Sequence, residues 1–323
     1  MGTGAVVVDV AGFDALLRHL GRDRRLLGPV LADGVIGIGE ISGVADLPAG
    51  WTDEQAPGRY RAVRRDDRAL FGYAVGQRSW RTEVNPSRVT LLRIRGRGTG
   101  PDAIPEVVPG DPADGVAPTA WIGVRGCDLA ALAITDRVFL GGEHPDPHYG
   151  ARRAAPFVVA VDCTTPSATC FCPSMGTGPA ATGPAHPGPT PDLHVHEACG
   201  DADHHLICRA GTEAGQAVLD ALADVTRPAT AAELGAAEEA LAATAERIDG
   251  ARTLDTDGLA ARLEAALEHP RWDDVAERCL SCANCTLVCP TCFCSTVETT
   301  TDLAGSETTR ARVADSCFTL DHS

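Results

Sequence analysis

Six of the thirteen cysteines fall within residues 278–294, RCLSCANCTLVCPTCFC. Cys279, Cys282, Cys285 and Cys289 are spaced C-x2-C-x2-C-x3-C, and Pro290 follows directly. Soft thiolates select iron–sulfur clusters, zinc or copper(I). Two residues between thiolates let one short loop wrap three corners of a cubane iron–sulfur core. The fourth thiolate is directed away and, in two-cluster ferredoxins, ligates the other cluster. The proline ends the loop. Structural zinc is the alternative, but zinc ribbons separate their two C-x2-C knuckles by roughly a dozen residues or more. Cys282/Cys285 and Cys289/Cys292 are too crowded for that. The spacing predicts a 4Fe-4S cluster at Cys279, Cys282, Cys285 and Cys289.

A second group lies upstream. Cys127 follows an apolar stretch at 121–126, Cys163 ends another at 156–163, and Cys170 and Cys172 sit in the next loop. If those two stretches are neighbouring strands, their C-terminal ends share one edge, where open α/β sheets bind ligands. Four thiols then meet there and hold a second metal or cluster. The competing reading leaves Cys127 and Cys163 as small buried hydrophobes. His194 and His196 share a face of a candidate strand and His204 and His205 are adjacent. No His-Glu-x-x-His pattern joins them, so they read as ordinary. GTG at 176–178 lacks the G-x-G-x-x-G context of a dinucleotide site. No nucleophile elbow or Ser/His/Asp signature is present.

The elements that must carry these residues alternate in type. AVVVDV (5–10) reads as a strand and Ala15–Leu20 as a short helix. VIGIGEI (35–41), LFGYAV (70–75) and RVTLLRIR (88–95) read as strands by β-branched content. Residues 51–60 read as a loop, and 96–118 as a Gly/Pro-rich connection. WIGVRG (121–126) runs into a helix at 127–139, with Asp128 supporting its first turn. PFVVAVDC (156–163) is a second buried-type strand, which gives the layer parallel character. Residues 164–190 are loop. Strands are expected at 192–198 and 204–210, a helix at 212–224, and two helices broken near Gly250 between 228 and 269.

Composition bounds the function. Lys+Arg 28 against Asp+Glu 44 gives a net charge of −16 over 323 residues, which argues against nucleic acid. No apolar run is long enough to span a membrane. The opening MGTGAVVVDVAGFD lacks a basic region and cleavage site, which predicts a cytoplasmic chain, where clustered thiols point to metal or redox work.

Taken together, GVRGCDLAALAITDRVF, YGARR, VDCTTPSATCFCPSMGTGP, RCLSCANCTLVCPTCFC and DSCF resemble one family. It is the iron–sulfur β subunit of soluble nickel–iron sulfhydrogenases, which also includes the corresponding iron–sulfur component of anaerobic sulfite reductase and is described as a 4Fe-4S dicluster family. The likeness runs from about residue 25, through GRYRAVRRDD and SWRTEVNP, to the end. It implies electron transfer between a flavin-containing, NAD(P)H-reactive subunit and a hydrogenase or sulfite reductase catalytic subunit. It also implies that Cys127, Cys163, Cys170 and Cys172 match cysteines of the family's N-terminal domain.

The expected architecture is an α/β (or α+β) domain over 1–265, followed by a small cysteine-rich ferredoxin-like 4Fe-4S domain over 266–323. The family normally carries a second C-x2-C-x2-C-x3-C-P run some tens of residues beyond DSCF, whereas this sequence stops at Ser323. The expectation is a chain cut before that motif. The fourth ligand of the first cluster then stays open, with Cys292, Cys294 and Cys317 as substitutes. One 4Fe-4S cluster is expected, with a second as an open alternative. The expected role is an electron-transfer subunit without bond-making chemistry of its own. The alternatives are a catalytic cluster reducing a small sulfur compound and a zinc-stabilised interaction module.

Overall fold

The computed structural model describes residues 4–56, 58–74, 79–96, 105–200 and 203–317. The chain divides into two compact units, each assembled from three segments. The larger comprises Met1–Ser79, Ala117–Ala133 and Pro156–Ala276; the smaller comprises Trp80–Val116, Ile134–Ala155 and Glu277–Ser323.

In chain order the strands are β1 Val6–Asp9, β2 Arg25–Ala32, β3 Val35–Ile41, β4 Trp51–Ala56, β5 Arg59–Arg64, β6 Arg88–Arg95, β7 Glu106–Pro109, β8 Thr119–Val124, β9 Pro156–Val161, β10 Leu193–Cys199, β11 His204–Ala210, β12 Arg227–Pro228, β13 Ser295–Thr301 and β14 Glu307–Ala314. The helices are α1 Val10–Leu20, α2 Arg81–Val84, α3 Gly126–Leu140, α4 Pro147–Ala154, α5 Glu213–Asp220, α6 Ala231–Ala251, α7 Leu259–Glu264, α8 Arg271–Glu277 and α9 Asn284–Val288.

The larger unit is built on an eight-stranded sheet in the order β12-β1-β11-β10-β9-β8-β2-β3. β2, β8, β9 and β10 run parallel, and the flanking pairs are antiparallel. Parallel strands are covered on both faces, so their sequences are unbroken apolar runs. Residues 120–124 and 157–161 are all buried. This is the mixed α/β fold that the apolar patterns predict. On one face Phe13, Leu16, Leu17 and Leu20 of α1 pack into the core with Ile122, Val159, Val195 and Leu206. Their i, i+3, i+4, i+7 spacing makes one apolar stripe. Asp9 starts that helix by accepting the Gly12 amide at 2.7 Å, an N-cap contributing about 1 kcal/mol.

The smaller unit holds an antiparallel sheet in the order β13-β14-β6-β7. Its central pairing joins Glu307 to Arg95 and Val313 to Arg88. Ala311 is fully buried there. Arg312 donates to Asp146 and lies 5.3 Å from the Phe139 ring centroid. The Asp146 carboxylate also caps α4 through the Tyr149 amide at 2.9 Å.

Several local expectations are corrected. Residues 51–60 are not a loop: β4 and β5 form a hairpin with Trp51 opposite Arg64. The run is polar on both faces, so it lacks the alternation that marks a half-buried strand. The Arg64 guanidinium lies 4.2 Å from the Trp51 ring centroid. Conversely, LFGYAV is no strand over its described residues 70–74; residue 75 lies outside the described residues. Its apolar side chains are buried, but its backbone is satisfied by side chains instead of a ladder. Glu197 accepts the Leu70 and Phe71 amides at 2.6 and 2.9 Å, and Asp53 accepts the Ala74 amide at 2.7 Å. Strand β7 interrupts the Gly/Pro-rich 96–118 connection, and β2 carries no expectation from sequence because Gly28 and Pro29 interrupt its pattern. Gly250 lies in the last turn of α6, and the break follows it at 252–258.

Candidate metal centres

The parallel pairing of β8 and β9 fixes the upstream site. Their C-terminal ends share an edge, so Cys127 and Cys163 emerge side by side. The loop after β9 returns Cys170 and Cys172 to the same place. All four cysteines line one cavity of about 220 Å³, walled mainly by apolar groups including Ala74, Met175 and Ile248. Helix α6 and the segment after it hold the loop down. Arg247 donates to the Thr164 carbonyl at 2.7 Å, and the Leu254 amide donates to Ser174 Oγ at 3.0 Å.

Burial pushes the Cys127 and Cys163 thiols up, and Cys172 up to about 12. Without a metal these groups are neutral thiols at neutral pH; coordination deprotonates them outright. Beside them Asp128 is raised to about 6 by burial, and its carboxylate accepts the Arg125 amide at 3.0 Å, closing the first turn of α3.

Close backbone approach is required at Gly126. A Cβ there would stand 2.6 Å from the Ala180 carbonyl oxygen and 2.9 Å from that of Thr177. Gly126→Ala should therefore displace the 177–180 segment and lower stability by about 2 kcal/mol, the range for overpacking a tight site. Urea unfolding followed by circular dichroism would register the loss; an unchanged midpoint would show that the loop gives way freely.

Asp162 fastens the same edge. Its carboxylate accepts from the Ala181 amide at 2.8 Å, His194 Nε2 at 2.8 Å and His196 Nδ1 at 3.0 Å. Burial raises this carboxyl, but the two histidine bonds outweigh it and hold it well below the usual carboxylate range. Both ring nitrogens facing the carboxylate donate to it, and His194 Nδ1 meets Thr182 Oγ1 at 3.3 Å. His194 and His196, which sequence treats as ordinary, thus hold Asp162 and through it the loop.

In the smaller unit Cys279, Cys282 and Cys285 are exposed and Cys289 is half-buried. Ser281 and Ala283, on either side of Cys282, have left-handed backbone (φ 50° and 56°). Non-glycine residues adopt this at a cost of about 1–2 kcal/mol each, and such turns aim amide hydrogens inward around anionic groups. The Ser281 amide donates to Cys279 Sγ at 3.4 Å. Arg81 donates to the Thr286 and Leu287 carbonyls of α9 at 3.5 and 3.3 Å, and Thr286 Oγ1 meets Ser316 Oγ at 2.9 Å. Opposing Ser295 to Ala314 in the β13–β14 ladder also brings Cys294 near Cys317. Burial, then the neighbouring Cys292 and Cys317 thiols, push the Cys294 thiol up. Among the described residues no three His, Cys, Asp or Glu side chains are arranged about one point as a single ion requires.

Residues 278–323 match the 4Fe-4S dicluster domain family. Sulfhydrogenase 2 subunit beta of Pyrococcus furiosus is 34% identical over 209 residues, which cover 65% of this chain and 58% of that protein. The chain is similar to that subunit over the matched residues. It spans less than two thirds of that relative's length. The match supports 4Fe-4S cluster binding within residues 278–323, the cofactor that the C-x2-C-x2-C-x3-C run predicts. The donor chemistry fits: a run of thiols on a loop with an amide donating to sulfur suits a cluster. Among its described residues no helix is long and apolar enough to cross a membrane.

Three residues that hold the elements around the candidate site together escape sequence reasoning. Arg125 and Glu197 carry no motif, because their partners are scattered backbone groups. Asp162 had one available signal: two histidines at i and i+2 on the neighbouring strand, facing the residue before a cysteine.

Proposed function

We propose that this chain is an iron–sulfur electron-transfer subunit of an oxidoreductase complex in the cytoplasm. It would pass electrons between a flavoprotein NAD(P)H-reactive subunit and a hydrogenase or sulfite reductase catalytic subunit. The observation that carries the reading is the pair of thiol sets. One is the ferredoxin run at Cys279, Cys282, Cys285 and Cys289. The other is the four cysteines lining one apolar cavity at the sheet edge. In this reading Cys127, Cys163, Cys170 and Cys172 hold a second cluster, and division by cofactor follows 1–265 and 266–323. A bound cluster supplies one-electron transfer. The protein's own part is to fix the thiols, line their cavity with apolar Ala74, Met175 and Ile248, and direct the Ser281 amide at Cys279. Similarity to a sulfhydrogenase beta subunit supports the assignment.

Anaerobically reconstituted chain should show visible absorption that dithionite bleaches, and negligible NAD(P)H oxidation with artificial acceptors. Adding the flavoprotein subunit should make the chromophore reducible by NAD(P)H. Efficient NAD(P)H oxidation, or sulfite or polysulfide reduction, by the chain alone would replace the carrier reading with a catalytic one. A chain that binds zinc and no iron would leave only an interaction module.

A further inference from the structure

Arg125 stands between the end of β8 and the start of α3, two residues before Cys127. It is only 2% exposed. Its Nη1 donates to the Asp162 carbonyl at 2.5 Å, and its Nη2 to the Phe71 and Tyr73 carbonyls at 2.6 and 3.1 Å. The guanidinium carbon lies 5.0 Å from the Tyr73 ring centroid. Every one of these partners is neutral. The nearby acids are engaged elsewhere: Asp128 takes the Arg125 amide, and Glu197 takes two amides and His204 Nε2 at 2.8 Å. Nε–H is buried without a hydrogen-bond partner, and the side chain lines the cavity of the four cysteines.

An arginine does not discharge inside a protein, and a buried charge is strongly unfavourable unless something of opposite sign faces it. Carbonyl dipoles offset only part of that. Asp128 and Glu197 attract the cation without bonding to it, and neutral thiols would add nothing to that. Thiolates around an iron–sulfur core form a net anion, and reduction adds one electron and one further negative charge. A fixed cation beside the core attracts the reduced form more strongly, and net charge and hydrogen bonding near the sulfurs set such potentials.

We propose that Arg125 is the counter-charge of an anionic iron–sulfur cluster held by Cys127, Cys163, Cys170 and Cys172, and that it raises the reduction potential of that cluster. The inference rests on the cavity being a cluster site, as proposed above. It makes Arg125 a positioning and potential-setting residue, not an electron carrier.

The test is potentiometry followed by EPR on full-length, anaerobically reconstituted protein. Cys170→Ala first identifies which signal belongs to the cavity. Arg125→Gln should then shift the reduction equilibrium of that signal at least tenfold toward the oxidised form, which is 59 mV for one electron. Arg125→Lys, which keeps the charge but not the fork of carbonyl bonds, should stay close to wild type. The signal of the 279–289 run should not move in either variant. A Gln variant with unchanged midpoint, or Lys and Gln variants shifted alike, would overturn the proposal in favour of a purely architectural role. If the Gln variant fails to retain the cluster, the Lys variant decides: wild-type loading and midpoint support the counter-charge, and equal loss of cluster rejects it. If Cys170→Ala changes neither iron content nor any EPR signal, the cavity reading itself falls and this inference with it.

Discussion

Cys282→Ala is expected to abolish most of the EPR signal of the cluster at 279–289 and to lower iron and acid-labile sulfide in proportion. The loop around Cys282 has little else to hold it. Leu280 and Leu287, its larger apolar side chains, are 88% and 64% exposed, so no core forms beneath it. The left-handed Ser281 and Ala283 add strain that the coordination must offset. If the run holds the proposed cluster, metal binding would supply much of the order of this segment. Hydrogen exchange of amides 280–288 should rise together with the loss of iron. Ala283→Gly is the contrasting variant. It removes the left-handed penalty of about 1 kcal/mol or more and should keep full iron content. A Cys282→Ala protein with wild-type iron and signal would exclude Cys282 as a ligand.

What the sequence reveals follows from what is local. The ferredoxin run is legible because all four cysteines lie within residues 279–289 and their spacing is itself the geometry. Strands β3, β6, β8 and β9 are legible because fully buried or well-patterned strands write their environment into unbroken Val, Ile and Leu. The shared edge of Cys127 and Cys163 follows once two such strands flank one helix. The smaller sheet is not legible. Arg95 and Glu307 are 212 residues apart and meet at 2.8 Å only because β14 pairs with β6. Their surface ion pair contributes too little to leave a signature. The 70–74 segment misleads for another reason: its apolar side chains are buried as a strand's would be, but Glu197, Asp53 and Arg125 replace the neighbouring strand. Long-range polar partners of backbone groups have no periodicity to detect.

Asp162 is where that kind of partnership is most consequential, and its removal should be the most damaging single change outside the cysteines. Asp162→Ala would strand the Ala181 amide and two histidine N–H groups in a site where the side chain is 1% exposed. Unsatisfied buried donors and a broken buried charge interaction together predict a loss of about 4 kcal/mol. Asp162→Asn keeps the shape and one acceptor, but turns an NH2 toward one histidine unless that ring changes tautomer, so about 2 kcal/mol is expected. The pH dependence separates charge from shape. The folded carboxyl is held below its ordinary value, so its stabilisation is complete above the usual carboxylate range and fades as pH falls through the depressed folded value. Urea midpoints of wild type and Asp162→Asn should be furthest apart above roughly pH 5 and converge in stronger acid. Parallel curves at all pH values would show that the carboxylate charge adds nothing. Because Asp162 ties down the loop bearing Cys163, Cys170 and Cys172, and its carbonyl receives Arg125, iron loading of the cavity should fall with stability. Asp162→Ala protein that is destabilised yet fully loaded would separate the anchor from the site.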